Sequence, residues 1–399
     1  MRKRFASLAN GIVLRLASVW WLRVLLIWLG TRITSYCLFL ATAATQGDNY
    51  WTKAHPDYFD FLNIWDAEWF ERIYDSGYPT VLPTDDSGLV KENQWAFMAG
   101  FPLLVRLANL ATGLEFKFVA PLVATLAGFA FALVLYKLLR LKFNDASASW
   151  AVLLIGLSPA APVFQVGYAE SLGMLFLAAA LYWWLRDRLW LATIALAAMS
   201  ITRPGAVAFG FAVFLVAAVV AWRDRRMPDA RQLVFGLGAT ALGFLWFTMA
   251  WLATGRFDAY LATEIAWRRG YTGNTELALF ESWFVSAEFW FGSPTGSFIV
   301  LGLFGFAIWA MTTASARALG LKLWAWTFGY LLYLAAVFFP QSSTVRILLP
   351  AFPLIAAFAE STYRSTKVTK AVIVAVAVVL QFAWLMLCWR YQAPDFSPP

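Results

Sequence analysis

The sequence predicts an all-helical, polytopic membrane protein with about eleven transmembrane helices and two long outer loops, and three observations lead there. Of its 399 residues, 61% are hydrophobic, 18% aromatic and only 14% charged, whereas a soluble chain carries about a quarter charged residues. Apolar stretches near 20 residues, enough to cross ~30 Å of hydrocarbon, recur along the whole length. Lysine and arginine gather at alternate ends of those stretches.

In order, the spans read as 19–44, 117–137, 147–165, 169–185, 189–203, 205–222, 232–253, 297–315, 323–340, 347–362 and 371–389. The fifth and tenth are the shortest for a crossing. One set of ends collects Arg2, Lys3, Arg4, Arg15, Lys137, Arg140, Lys142, Arg186, Arg188, Arg223, Arg225, Arg226, Arg231, Arg317, Lys322, Arg364, Lys367 and Lys370, 18 of the 31 basic residues. These lie in short connections near helix ends, where the positive-inside rule applies best, so this side is cytoplasmic and the C-terminus falls outside. The net charge of +8 is therefore a topology signal and a contact with anionic lipid, not a nucleic-acid footprint. The first apolar run is too long for a signal peptide and lacks a small-residue cleavage site. Cys37 and Cys388 both fall in apolar helices, so there is no disulfide framework.

The acids lie elsewhere. Eleven of 23 fall between Asp48 and Glu115 and five more between Asp258 and Glu288. They occupy two connections, 45–116 and 254–296, far longer than ordinary ones, and such loops are functional or disordered. Their Trp, Phe and Tyr content argues against disorder. They read as folded caps with short interfacial helices on the outer surface. There is no internal repeat and no soluble domain, so residues 1–399 form one membrane domain. Aromatics such as Trp283, Phe289 and Trp290 form an interfacial belt.

The most informative segment is NIWDAEWFERIYDSGYP, residues 63–79, a short helix ended by Gly77 and Pro79. On it Asp66 shares a stripe with Trp69, Phe70 and Ile73, while Glu68 pairs with Arg72 one turn on, on the opposite face. An ionisable group turned toward an aromatic, membrane-facing side is costly and marks function. Burial there disfavours its charged form and suits it to accept a proton. The alternative is a helix N-cap, and spacing alone does not choose.

WDAEWFERIYDSGYP resembles the signature of the PIG-V family of membrane mannosyltransferases, approximately W-D-A-x-H-F-x-x-I-A-x-x-G-Y. Trp65, Asp66, Ala67, Phe70, Ile73, Gly77 and Tyr78 match. Trp69 stands where the family has His, and Tyr74 where it has Ala. AFMAGFPLLVRL (96–107) resembles the following F-F-P-x-x-P-L segment through Phe97, Phe101 and Pro102. SPAAPVFQVGYAESLGMLF (158–176), SITRP (200–204) and QSSTVRILLPAFPL (341–354) resemble three later blocks, in family order.

The resemblance implies a GT-C-like bundle, and a bacterial relative of the family is the closer reading. It implies an inverting transfer of a sugar, mannose by family habit, from a polyprenyl-phosphate donor to a hydroxyl of a glycolipid or glycan acceptor. The site would face the extracytoplasmic side of the cell membrane, or of the endoplasmic reticulum in a eukaryote. Asp66 holds the position of the family's general base, and Trp65, Glu68, Trp69, Tyr168 and Glu170 are expected at the substrate. The leaving phosphate needs cationic partners. Arg203 and Arg346, each at an outer span end in a resembling block, are expected to supply them, with snorkelling to headgroups as the alternative. Arg268 and Arg269 in AWRRGY are either a second phosphate pair or a solvated loop pair. Glu170 starts a helix, where it either favours the dipole or acts as a second acid. His55, the sole histidine, either replaces the missing imidazole or is simply solvated. Asp85 and Asp86 form a polar turn or help hold a divalent cation; no obligatory metal or cofactor is expected. A transporter or lipid flippase, which would show repeats and midplane charges, and a noncatalytic subunit of a membrane glycosyltransferase complex are the competing classes.

Overall fold

The computed structural model describes residues 19–272, 276, 278–392 and 399, which are helical apart from turns, loops and a single bridge between Thr84 and Val90. Arg2, Lys3, Arg4 and Arg15, part of the topology count, lie outside the described residues. Among the described residues, six helical stretches are long and apolar enough to cross a membrane. They are α1 (Trp20–Ala43), α5 (Phe116–Leu139), α9 (Ala206–Asp224), the pair α10 (Ala230–Gly243) and α11 (Leu245–Thr254), α14 (Thr295–Thr312), and α19 (Lys367–Trp384) with the π turn Leu385–Trp389. Four shorter apolar helices lie between them: α6 (Asp145–Gly156), α7 (Glu170–Leu185), α8 (Leu189–Ser200) and, after the five-residue α15 (Ala314–Ala318), α16 (Leu321–Val337). The protein is thus a multi-pass membrane protein. Its outermost helices show lipid-facing stripes, as in α19, where Val368, Val372, Val376 and Val379 are exposed at helical spacing.

Two expected spans are broken rather than continuous. The segment 147–165 stops as α6 at Gly156 and resumes as a 3-10 turn, Ala161–Gln165, because Pro159 and Pro162 remove backbone donors and fix φ. The carbonyls this frees are met by Arg32 of α1, whose guanidinium donates to Gly156 O and Ala161 O, each at 2.7 Å. Irregular backbone at membrane depth persists only where protein satisfies it. The segment 347–362 likewise splits into α17 (Thr344–Ile347), a 3-10 turn Leu349–Ala351 and α18 (Pro353–Thr362) around Pro350 and Pro353. That break carries Arg346.

The connection 45–116 contains α2 (Tyr58–Leu62), α3 (Asp66–Ser76), a 3-10 turn Gln94–Ala96 and α4 (Gly100–Thr112). The connection 254–296 contains α12 (Ala259–Thr272) and α13 (Ser282–Phe291). The two are clasped. Asn93 Nδ2 donates to Thr263 Oγ1 at 2.9 Å and Arg269 pairs with Asp85 at 3.0 Å. Beneath them Trp246 donates to Trp95 O at 2.9 Å inside an apolar cluster with Leu82, Val90, Met98 and Ala259. Short amphipathic helices of this kind gain most of their stability from such packing, since isolated helices under about 12 residues are marginal in water.

Candidate active site

α3 starts at Asp66, and the residue before it does not cap it. Trp65 sits at φ 61 with no side-chain cap bond, a left-handed conformation that a bulky residue holds only when its surroundings enforce it. The enforcement is visible: its indole donates to Trp389 O at 2.7 Å and its ring lies 4.7 Å from that of Trp51. The Asp66 amide donates to the Tyr168 hydroxyl at 3.1 Å. The Asp66 carboxylate is therefore not spent as a cap. It turns to Arg346, which donates to it at 2.6 Å.

From there the expected residues form a chain of alternating charge. Arg346 also meets Glu170 at 3.1 Å, and Glu170 meets Arg203 at 3.4 Å. The side chains of Arg346, Glu170 and Asp66 are 7%, 4% and 16% exposed, while Arg203 is 25% exposed. A buried charge is tolerated only when paired, so the chain is what allows four ionisable groups to sit together. The Tyr168 ring lies under the Arg346 guanidinium, 5.1 Å away. Gly173, one turn after Glu170, leaves room for Arg203 to lie against α7; a Cβ there would meet Arg203 Cγ at 2.6 Å. Glu170 opens α7, where the helix dipole favours an anion, and it bridges two arginines.

The electrostatic neighbourhood of the chain extends to α12. Glu264 is partly buried and interacts electrostatically with Arg268, Arg203 and the Tyr260 hydroxyl. Burial pushes its carboxyl above the usual carboxylate range, with those neighbours pulling it back. Tyr333 feels the same three charged groups. The sequence reading passed over Glu264, Tyr260 and Tyr333. Its one available signal was a carboxylate among aromatics in AYLATEIAWRRGY, with Tyr260, Glu264 and Trp267 at spacings of four and seven.

Other expected residues fall around this chain. Glu68 accepts from Trp51 at 2.8 Å and from Arg72 at 2.5 Å. Trp69 stacks on Phe97, with ring centres 5.8 Å apart, meets Trp267 edge-on at 5.3 Å, and has Arg72 over its face at 4.6 Å. His55 is exposed and bonds Ala44 O at 2.8 Å, which ties it to the end of α1 rather than to the acid–arginine chain. Arg269 also leaves the chain, for Asp85 and Val90 O. Asp85 is held below the usual carboxylate range by the Ser87 hydroxyl first, with the Leu89 and Ser87 amides and Arg269 adding to it; it organises its turn.

A sequence model of the mannosyltransferase (PIG-V) family matches residues 4–284. The chain belongs to this family. It is thereby a membrane glycosyltransferase, and Asp66, Glu170 and Arg203 lie within the matched region while Arg346 lies beyond it. A comparison with curated proteins finds no match. Among solved structures, ArnT from Cupriavidus metallidurans bound to undecaprenyl phosphate is 14% identical, with 94% of this chain and 70% of that one covered and a TM-score of 0.49. The Archaeoglobus fulgidus oligosaccharyltransferase in complex with Zn and sulfate is 13% identical over 92% of this chain and 54% of that one, also at 0.49. AglB from the same organism, in complex with an inhibitory peptide and a dolichol-phosphate, is 13% identical over 93% and 56%, at 0.47. The chain spans little more than half the length of these oligosaccharyltransferases, and likenesses this distant carry no argument about its chemistry.

Proposed function

We propose that the protein transfers a sugar, mannose by family, from a polyprenyl-phosphate donor to a hydroxyl of a glycolipid or glycan acceptor, with inversion at the anomeric carbon. The reaction takes place on the extracytoplasmic face, where the charge count puts both long loops, and needs no obligatory metal. Asp66 is the general base. It takes the acceptor O–H proton as that oxygen bonds to the anomeric carbon. The bond from that carbon to the phosphate oxygen breaks, and its electron pair leaves with the polyprenyl phosphate. Arg346 and Arg203 receive the growing negative charge, which is where preorganised donors contribute most to rate.

The observation that carries this reading is the meeting of Asp66, Arg346, Glu170 and Arg203, from four separate sequence blocks, in one buried chain. Arg346 keeps a donor in reserve, since its buried Nε has no partner, and an unmet buried donor is costly unless a ligand meets it. Arg203 offers a more open guanidinium beside it.

Purified protein incubated with radiolabelled polyprenyl-phosphate-mannose and a membrane lipid extract tests the reading. Wild type labels a product lipid or glycan. Asp66→Asn and Asp66→Ala reduce labelling by about 10²–10⁴-fold, the usual contribution of a general base. Transfer within tenfold of wild type in either variant removes Asp66 from that role.

A further inference from the structure

One face of α12 has more chemistry than its packing needs. Tyr260, Glu264 and Trp267 share it at spacings of four and seven. Trp267 leans edge-on against Trp69 at 5.3 Å and Phe97 at 5.8 Å. Trp69 itself lies three residues after Asp66 on α3, a rise of about 4.5 Å along the helix axis, roughly the reach of one pyranose ring. The indole N–H of Trp267 is buried and has no partner. Glu264 brings a carboxylate to the same face, within electrostatic reach of Arg203.

We propose that this face is the acceptor subsite and that its ligand is a neutral saccharide, with Glu264 and Trp267 as specificity-determining residues. The proposal rests on the glycosyl-transfer reading above. Its chemistry follows from the groups present. An indole offers an apolar face to the C–H side of a sugar ring and a donor to a ring hydroxyl. A carboxylate accepts two hydroxyl hydrogen bonds and repels phosphate, so Glu264 separates the acceptor from the anionic donor held at Arg203 and Arg346. Trp69, in the position of the family's His, packs against Phe97 and Arg72 and braces Trp267 through their edge-on contact. The sugar lies against Trp267, with one hydroxyl presented to Asp66.

The test uses the full chain in detergent with octyl α-mannopyranoside as the acceptor probe and polyprenyl-phosphate-mannose as the donor. Trp267→Leu and Glu264→Gln raise the KM for the probe tenfold or more and leave the donor KM within twofold, and Trp267→Phe lies between. Saturation-transfer NMR of the probe, without donor, shows magnetisation passing to the sugar protons from wild type but not from Trp267→Leu, while octyl tetraethylene glycol, an octyl chain without sugar, shows no such difference. An unchanged probe KM in both Glu264→Gln and Trp267→Phe overturns the subsite, as does a donor KM that rises in parallel. If wild type transfers no sugar at all, the enzymatic reading fails, and the NMR decides the subsite by itself. A sugar-proton signal that is present in wild type and vanishes in Trp267→Leu upholds a saccharide face, and a wild type that gives no such signal overturns it.

Discussion

Arg346→Met is the most demanding perturbation of the site. Its guanidinium is 2.6 Å from Asp66 and 3.1 Å from Glu170, and its side chain is 7% exposed. Losing it leaves two carboxylates facing one arginine, Arg203, which pairs with Glu170 at 3.4 Å but not with Asp66. Each lost attraction is on the order of 4 kcal/mol at ~4 Å and an effective dielectric of ~20, offset by the desolvation that the pair no longer imposes. Removing one partner of a buried pair costs about 3–5 kcal/mol net, because a charge is left stranded. Asp66→Asn is milder, since Arg346 keeps Glu170. The double variant Asp66→Asn/Arg346→Met leaves one neutral Glu170–Arg203 pair and recovers about 1–3 kcal/mol relative to Arg346→Met, a coupling of the size contacting residues show. Thermal unfolding of the purified protein in detergent, followed by the fluorescence of its 22 tryptophans, orders the variants. Arg346→Met melting with wild type, or the double variant melting no higher than Arg346→Met, refutes the charge-compensation argument.

Three further outcomes follow from other parts of the structure. Arg32→Met strips donors from Gly156 O and Ala161 O and destabilises by roughly 2–4 kcal/mol; a melting temperature equal to wild type shows that another group satisfies the α6 break. Gly100→Ala would set a Cβ 2.8 Å from Ile201 O, which already accepts from the Gly100 amide at 2.6 Å; the clash costs about 1–3 kcal/mol and, by moving the segment leading into Arg203, raises the donor KM. Because burial raises the folded carboxyl of Glu264, the folded state holds its proton more tightly than the unfolded chain, so this residue adds stability as pH falls from neutrality toward the ordinary value of about 4.3. Acceptor recognition, which needs the carboxylate among Arg203, Arg268, Tyr260 and Tyr333, weakens over the same window, and Glu264→Gln removes both trends. A probe KM that stays flat with pH in wild type contradicts this.

Composition and hydrophobic run length made the helical membrane class plain, because lipid imposes a near-binary demand on each stretch. The two broken segments escaped a reading based on hydropathy, since the prolines at 159, 162, 350 and 353 sit inside runs that remain largely apolar. Arg32 was readable as an anomaly, an arginine in the middle of a 24-residue apolar helix, yet its partners are carbonyls that exist only because α6 stops early. In the candidate site, the helical stripe singled out Asp66 without choosing between a functional group and a cap, and its pairing with Arg346, 280 positions away, has no local signature. Glu264 and Trp267 stand beside Arg268 and Arg269, whose charges are the stronger local signal, although Arg269 pairs with Asp85.

The separation of the paired groups along the chain has a bearing on biogenesis. Segments enter the bilayer in order, so Asp66 and Glu170 are in place long before the broken tenth segment delivers their guanidinium. Until then the half-made bundle holds acids with only Arg203 to balance them, and it is soft at the point where the finished enzyme is most tightly knit. Closure of the charge chain therefore waits on a late segment, because Arg346 pairs with Asp66 across 280 positions.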